Sequence, residues 1–375
     1  MKKNALILSV LLAFIACSAE KSGDSPGLVT FDRESAVMKN EVKLTEPEVI
    51  EFADLLAPVK FYVMYDTLVV VNNSYQCEYG LELYSLNSMK RLSEFAPKGQ
   101  GPEDFLSTNV LIYSASDTSI IICDTRTYSY SIIDLPASVA ANRLKITKKF
   151  NYDINLFQSE DITITDDGHY IGYNCWYLNS TQYNNGVPVF IRHTMDYDRT
   201  KTEEGLDPRK YKYIVGSVNG GLPFFNPNTK QLWLMDKRMD KIDIYNDSLQ
   251  IVKTISGPDH YDCNYIEQLN QGLSIILFDK DKEYKSYSNY TISKSGIYII
   301  YEGVNGEVMD WTKPPTFPET VEIFKFDFDG NFVKSYLLDR YVYAVSVDSN
   351  EEFMYCTART SVEDEAQLVR YKIKP

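Results

Sequence analysis

The sequence predicts an all-β fold, a six-bladed β-propeller of four-stranded antiparallel blades closed by an N-terminal strand, and three observations carry that expectation. Beyond Cys17, short runs rich in Val, Ile, Tyr and Phe alternate with Asp, Asn and Gly, without the i, i+3, i+4 apolar spacing of a long helix. Tight turns of one kind recur at Asp66, Asp117, Asp167, Asn228, Ser295 and Ser349, a loose period of roughly 50 to 70 residues of the sort that marks propellers. Each turn leads into further strands, as in QLWLMD, KIDIYN and QIVKTIS between Gln231 and Ser256, which makes one four-stranded blade.

From the N-terminus, Lys2 and Lys3 precede an apolar run from Ala5 to Ala16 that ends at Cys17. A basic start, a short apolar core and a small residue before the cut read as a signal peptide over residues 1–16. The run is too short to cross a bilayer core, which takes about 20 helical residues. A cysteine directly after Ala16 resembles the bacterial lipobox, although Phe14 stands where Leu is usual, so Cys17 is the expected lipidation site. Residues 17–27, with KSGDSP among them, are small and polar as a lipid-anchored flexible tether requires. Residues 28–375 are then expected to form a single propeller domain.

At the other end, the last unit stops after its third strand, AQLVRYKI from Ala366 to Ile373. An open sheet edge invites pairing with other chains, so a strand from the N-terminus should complete it, either Leu28–Phe31 or Glu41–Leu44.

A formal net charge of -14 repels phosphate backbones and anionic head groups, which argues against nucleic acid and leaves the membrane to the lipid anchor alone. The cysteines after Cys17 are Cys77, Cys123, Cys175, Cys263 and Cys356, irregularly spaced and without a CxxC, which indicates neither a disulfide framework nor a zinc site. Cys123 and Cys356 sit in apolar strand patterns and read as buried thiols, whereas Cys77 and Cys175 fall in loops where they could pair.

The strongest internal match is ungapped. ICDTRTYSYSI from Ile122 aligns with LMDKRMDKIDI from Leu234, placing Asp124 on Asp236 and Arg126 on Arg238. A third copy, YCTARTS from Tyr355, keeps Arg359 but carries Thr357 in place of the acid. In a four-stranded blade this turn, between the second and third strands, lies on the same face as the connections between blades. The Asp and Arg pairs read either as ion pairs tying neighbouring blades or as a charged rim for a small ligand. The same face should collect long loops holding Trp176, Tyr177 and Trp311, whose aromatic bodies and polar tips suit recognition of sugars or protein surfaces.

Catalytic signatures are missing. His169, His193 and His260 occur without HExxH, GxSxG or a neighbouring carboxylate cluster in sequence. DKDKE from Asp279 lacks the glycine that a calcium loop needs, since Tyr284 occupies that place, and DFDGN from Asp327 reads as a hairpin. No catalytic residue, metal ligand or cofactor is assigned.

The string KGQGPEDF from Lys98 to Phe105 brings a resemblance into view. With Gly99, Gly101, Pro102 and Phe105 it is similar to the connector between the first and second blades of the TolB-like six-bladed propeller lipoproteins of Gram-negative gut bacteria. The resemblance implies a propeller lipoprotein held at the outer membrane, facing the periplasm or the surface, and it implies no single activity. The expected function is a binding or scaffold propeller for a glycan, peptide or protein partner. The alternative is a hydrolase or lyase with an acid-base site at the channel mouth.

Overall fold

The computed structural model describes residues 26–52, 58–73, 77–101, 104–112, 119–124, 126–127, 129–151, 161–164, 170–174, 177–184, 187–193, 221–248, 250–261, 263, 265–270, 273–278, 284–305, 318–359 and 366–374. Three short strands come first: β1 (Gly27–Thr30), β2 (Glu41–Leu44) and β3 (Glu48–Ile50). The first sheet is β4 (Pro58–Met64), β5 (Leu68–Asn73), β6 (Tyr79–Ser85) and β7 (Lys90–Pro97). The second is β8 (Asn109–Ile112), β9 (Ser119–Asp124), β10 (Ser129–Asp134) and β11 (Ile146–Asn151), with a short helix α1 (Leu135–Ala141) inserted before β11. The third is β12 (Asp161–Ile164), β13 (Tyr170–Asn174), β14 (Tyr177–Asn184) and β15 (Val187–His193). The fourth is β16 (Gly221–Asn226), β17 (Gln231–Asp236), β18 (Lys241–Tyr245) and β19 (Ile251–Ser256). A two-stranded hairpin, β20 (Tyr265–Asn270) and β21 (Leu273–Phe278), follows, and it accounts for the long interval between the turns at Asn228 and Ser295. The fifth sheet is β22 (Tyr284–Ile292), β23 (Ile297–Asn305), β24 (Val321–Phe326) and β25 (Phe332–Leu338), and the chain ends with β26 (Val342–Val347), β27 (Phe353–Ala358) and β28 (Gln367–Lys372).

This is an all-β propeller: β12 lies against β16, β16 against β22, β22 against β26 and β26 against β4, so first strands run side by side around an axis. Hydroxyls tie some of these inner strands across the sheet boundary. Val63 N–H donates to Ser346 Oγ at 3.0 Å and Phe225 N–H to Thr163 Oγ1 at 3.2 Å. The second strands read SIIICD, QLWLMD and FMYCTA and are buried almost throughout, because both faces pack on neighbouring sheets. The outer strand KRLSEFAP begins exposed over Lys90 to Leu92 and is buried or half-buried from Ser93 on.

The turns counted in the sequence lead to six blades, but among the described residues only five sheets hold four consecutive strands. The remaining four-stranded sheet is composite, with order β26-β27-β28-β3. Neither expected closing piece completes it. β3 does, pairing antiparallel to β28 with Val49 opposite Val369, while β1 and β2 lie parallel to β19 and β25 as fifth strands of the fourth and fifth sheets. The difference is which core each segment joins: Ile50 and Phe52 are buried between the last and first sheets, with Phe52 on Tyr84 at 4.5 Å between centroids, whereas Phe31 is buried with the fourth and fifth sheets and Leu44 with the fifth and last.

Between β1 and β2 the chain dips inward. Phe31 enters the interface of the fourth and fifth sheets, stacked on Phe332 at 4.9 Å and edge-on to Phe326 at 5.5 Å, and Val37 is fully buried beside it. Burying a phenylalanine of this kind contributes about 1.5 to 3 kcal/mol. Gly257, with φ +137°, lets the Phe31 carbonyl approach so closely that a Cβ there would overlap it.

On the face opposite the connectors, the recurring turns hold one another. Ser349 N–H of the last sheet donates to Asp66 Oδ1 of the first at 2.7 Å. Glu351, in the same turn with φ +54°, accepts from the turn of the fifth sheet: Ser293 Oγ at 2.7 Å, Ser295 N–H at 2.8 Å and Ser295 Oγ at 2.8 Å. Lys325 Nζ completes the set at 2.9 Å. These contacts hold the Glu351 carboxyl down at about 2 although burial opposes them.

The remaining local expectations fall as follows. Cys123 and Cys356 are buried, Cys77 is half-buried, and Cys175 lies outside the described residues. Asp327 accepts from Asn331 N–H at 2.8 Å and Gly330 takes φ +82°, which makes DFDGN a hairpin turn. Residues 279–283 lie outside the described residues.

Candidate functional site

The turns between second and third strands share a face with the connectors between sheets. In the first connector, Lys98 and Phe105 bridge, Asp104 receives Gly101 N–H at 2.8 Å, and Phe105 is buried between the first and second sheets. The next residue, Leu106, donates its N–H to Asp124 Oδ2 at 2.9 Å. In the fourth sheet the equivalent turn meets its neighbour, as Ser286 N–H of β22 donates to the Lys237 carbonyl at 3.0 Å.

The internal repeat has a local cause. Asp124 Oδ1 accepts Arg126 N–H at 3.0 Å and Thr127 N–H at 3.2 Å, and Asp236 Oδ1 accepts Arg238 N–H at 2.8 Å and Met239 N–H at 3.0 Å. Both carboxylates, almost fully buried, close their own turns instead of serving as the inter-blade ion-pair partners that one reading of the sequence assigned them. Burial pushes the Asp236 carboxyl up to about 6, against the pull of Lys241 and the two amides. Lys241 itself pairs with Asp243 at 3.1 Å. The copy with Thr357 has no acid to close the turn, and there β27 runs on so that Arg359 N–H donates to the Tyr341 carbonyl at 3.3 Å. Arg126 is exposed; Arg238 and Arg359 are half-buried.

Where the fifth and last sheets meet at this face, Lys285 of β22 stands 3.9 Å from Glu302. Burial and the neighbouring Glu302 carboxylate, which hydrogen-bonds the phenol, push the Tyr341 hydroxyl upward. Tyr343, on the inner strand β26, is also pushed up by burial, opposed by the nearby Arg359 charge.

A second polar cluster, beside the fourth-to-fifth connector, was not legible in the sequence, since its partners are more than 200 residues apart. Arg33 grips Asp259 with two bonds of 2.6 and 3.0 Å and reaches Glu322 at 2.9 Å, while Tyr301 donates to Asp259 at 2.7 Å. Burial nevertheless raises the Glu322 carboxyl, outweighing the guanidinium beside it. Close by, His260 Nε2 lies 2.8 Å from Asp32 Oδ1, and its Nδ1 lies 3.4 Å from Ser256 Oγ. The order of groups is that of a nucleophile, base and orienting acid, and it requires an amide pocket to stabilise an oxyanion. Here the surrounding amides are spent: Gly257 N–H on the Asp240 carbonyl at 2.9 Å, Asp259 and Tyr261 N–H on the Asp240 carboxylate at 2.6 and 2.7 Å, and Phe31 N–H on the Ser256 carbonyl at 3.1 Å. The cluster fastens the N-terminal segment across two sheets.

The expected lipidation site Cys17 and the loop-face candidates Trp176 and Trp311 lie outside the described residues, and Tyr177 of β14 is placed only by its backbone, opposite Asn174 of β13. The structure therefore brings Asp124 and Arg126, Asp236 and Arg238, and Arg359 to equivalent turns, and does not describe the aromatic set.

No curated protein sequence matches the chain. Among solved structures, it is similar to a member of the duf4221 family from Bacteroides vulgatus, at 10% identity and a TM-score of 0.50, over 88% of this chain and 94% of that one. It is also similar to the β-propeller domain of Cps50 (Swd1) from Myceliophteria thermophila, at 8% identity and a TM-score of 0.47, over 88% of this chain and all of that one. At such identities the likeness concerns the fold alone. The family model described as TolB-like 6-blade propeller-like matches residues 207–350, which run from ahead of β16 to just beyond β26, and over that stretch the chain is similar to that family.

Proposed function

We propose that this chain is a binding or scaffold propeller, with residues 28–375 as its single folded domain and the composite β26-β28 and β3 sheet as its sixth blade. A signal peptide over residues 1–16 and a lipid on Cys17 would hold it at the outer membrane, facing the periplasm or the surface, through the tether of residues 17–27. Its loop face would engage a glycan, peptide or protein partner through Arg126, Arg238, Arg359, Trp176, Tyr177 and Trp311.

One observation carries the reading. The carboxylates of the loop-face repeat, Asp124 and Asp236, are engaged by backbone N–H groups, which leaves recognition rather than proton transfer as the chemistry of those turns. A glycan array and a pull-down with the full chain test it, alongside Trp176→Ala and Trp311→Ala. Each substitution is expected to weaken binding by about 1 to 3 kcal/mol, as central aromatic anchors do, with unchanged melting. Lowered melting with unchanged binding refutes the aromatic site, and turnover of a bound sugar or peptide favours the hydrolase or lyase alternative. Fatty-acid labelling that survives Cys17→Ala refutes the anchor.

A further inference from the structure

We infer that the outer rim at the seam of the fourth and fifth sheets rests on a lipid surface, with Leu28 and Met38 entering its interfacial layer. This rests on the lipid-anchor reading above and says which part of the propeller the anchor sets against the bilayer.

The two most exposed large apolar side chains among the described residues are Leu28 at 68% and Met38 at 64%, and both stand in the segment that first joins the fold. Leu28 lies on β1, the outermost strand of the fourth sheet, opposite Thr254 of β19. Val252, two places earlier on β19, is exposed on the same side of that sheet. The chain then turns in at Phe31, which is buried and stacks on Phe332 at 4.9 Å, and the next residue of β25, Val333, is exposed again. Met38 opens the short turn Met38–Asn40, which packs on that same strand. Leu28 and Val252 therefore stand on one side of the seam, Val333 and Met38 on the other, a grouping of the kind that marks a contact surface.

Their exposure is built in. Val37 is fully buried, and Arg33 is held by Asp259 at 2.6 Å and Glu322 at 2.9 Å, so the segment is fixed with Met38 outward. Asn40 Nδ2 donates to the Ala36 carbonyl at 2.9 Å and closes the turn ahead of β2. Lys39 and Lys43 are exposed, and such long side chains keep their charge among head groups while apolar neighbours go deeper. The exposed Asp32 and Glu34 balance them, and the net charge of -14 repels anionic head groups. The contact is thus apolar, and a zwitterionic lipid surface is the one it fits.

What covers this rim follows from the chain before it. Cys17 and Gly27 are ten residues apart, a stretch that spans at most about 35 Å, so a lipid on Cys17 keeps β1 within that reach of the bilayer. Because β1 is outermost in its sheet while the first strands surround the axis, contact here lays the axis along the surface. The connector face and the face opposite it then both open to water.

Methionine oxidation by hydrogen peroxide tests the inference on the full-length acylated protein in vesicles of phosphatidylcholine and phosphatidylethanolamine. Met89, in the turn between β6 and β7 of the first sheet and 37% exposed, is the internal reference. In water the more exposed Met38 reacts faster than Met89. On vesicles the order is expected to reverse, with Met38 slowed about tenfold or more, the shift that burying an apolar side chain of this size produces. Leu28→Asp, at an exposed position, is expected to make Met38 the faster site again without changing the melting temperature, and the wild-type order alone decides the matter if that variant unfolds. Met38 reacting faster than Met89 in protein that floats with the vesicles overturns the rim contact while the anchor stands. Protection of Met38 that fades as the number of proteins per vesicle is lowered places a second copy on the rim and overturns the inference too. Protein that neither takes up labelled fatty acid nor floats with the vesicles ends both readings.

Discussion

Replacing Glu351 by Gln removes one charge from a junction that two turns share. The carboxylate receives Ser293 Oγ, Ser295 N–H, Ser295 Oγ and Lys325 Nζ between 2.7 and 2.9 Å, and Tyr298 OH at 3.4 Å, with the Glu351 and Lys325 side chains 10% and 12% exposed. A carboxyl held at about 2 instead of 4.5 corresponds to about 3 kcal/mol favouring the ionised form in the folded state. The cost of leaving a buried partner charge unpaired, about 3 to 5 kcal/mol, gives the same scale. Because the folded carboxyl lies below its unfolded value, this stability is complete above about pH 4.5 and is lost as pH falls toward 2. Urea denaturation of the wild type and Glu351→Gln at pH 7 is expected to differ by about 2 to 4 kcal/mol, the variant keeping a shallower dependence on pH between 4.5 and 2. A difference below about 0.5 kcal/mol, the size of an ordinary surface change, refutes the view that this contact joins the fifth and last sheets.

Asp236 has the opposite sign. Its folded carboxyl lies at about 6, above the ordinary 3.8, so wild-type stability should fall as pH rises from about 4 to about 6 and then level off. Asp236→Asn, which keeps an oxygen for the Arg238 and Met239 amides, should be more stable than wild type by about 1 to 3 kcal/mol at pH 8 and equal to it at pH 4, as read by denaturation midpoints; a variant less stable at pH 8 contradicts this. Among the N-terminal strands, Ile50→Ala should cost about 2 to 5 kcal/mol, a buried deletion, and promote aggregation by loosening the edge of β28. Leu28→Ala should change the melting temperature little, and equal effects of the two would refute β3 as the closing strand.

How much was legible in the residues is clearest at the turns. The positions Asp66, Ser295 and Ser349 follow from local chemistry, since short polar residues bond their own backbone and interrupt apolar runs. That Ser349 binds Asp66, and that Glu351 binds Ser293 and Ser295, depends on which sheets become neighbours, and no local pattern carries that. The repeated Asp and Arg were visible as a repeat, but two readings survived because spacing alone does not say whether a carboxylate turns toward a guanidinium or toward its own amides.

The sequence alone determined the all-β propeller: alternating and continuous apolar runs, and turn residues at a loose period, encode strands one by one. Only the tertiary structure decided which N-terminal segment closes the last sheet. LVTF, EVKL and EVIEF are all adequate strands by composition, and the choice among them falls to the core each one joins, because Ile50 and Phe52 pack between the last and first sheets while Phe31 and Leu44 pack in the cores of the fourth and fifth and of the fifth and last sheets. The same holds for the contacts of Arg33 with Asp259 and Glu322. They arise from side chains far apart in the chain whose meeting is a property of how the fourth and fifth sheets pack, where long-range packing sets position and local preference sets only shape.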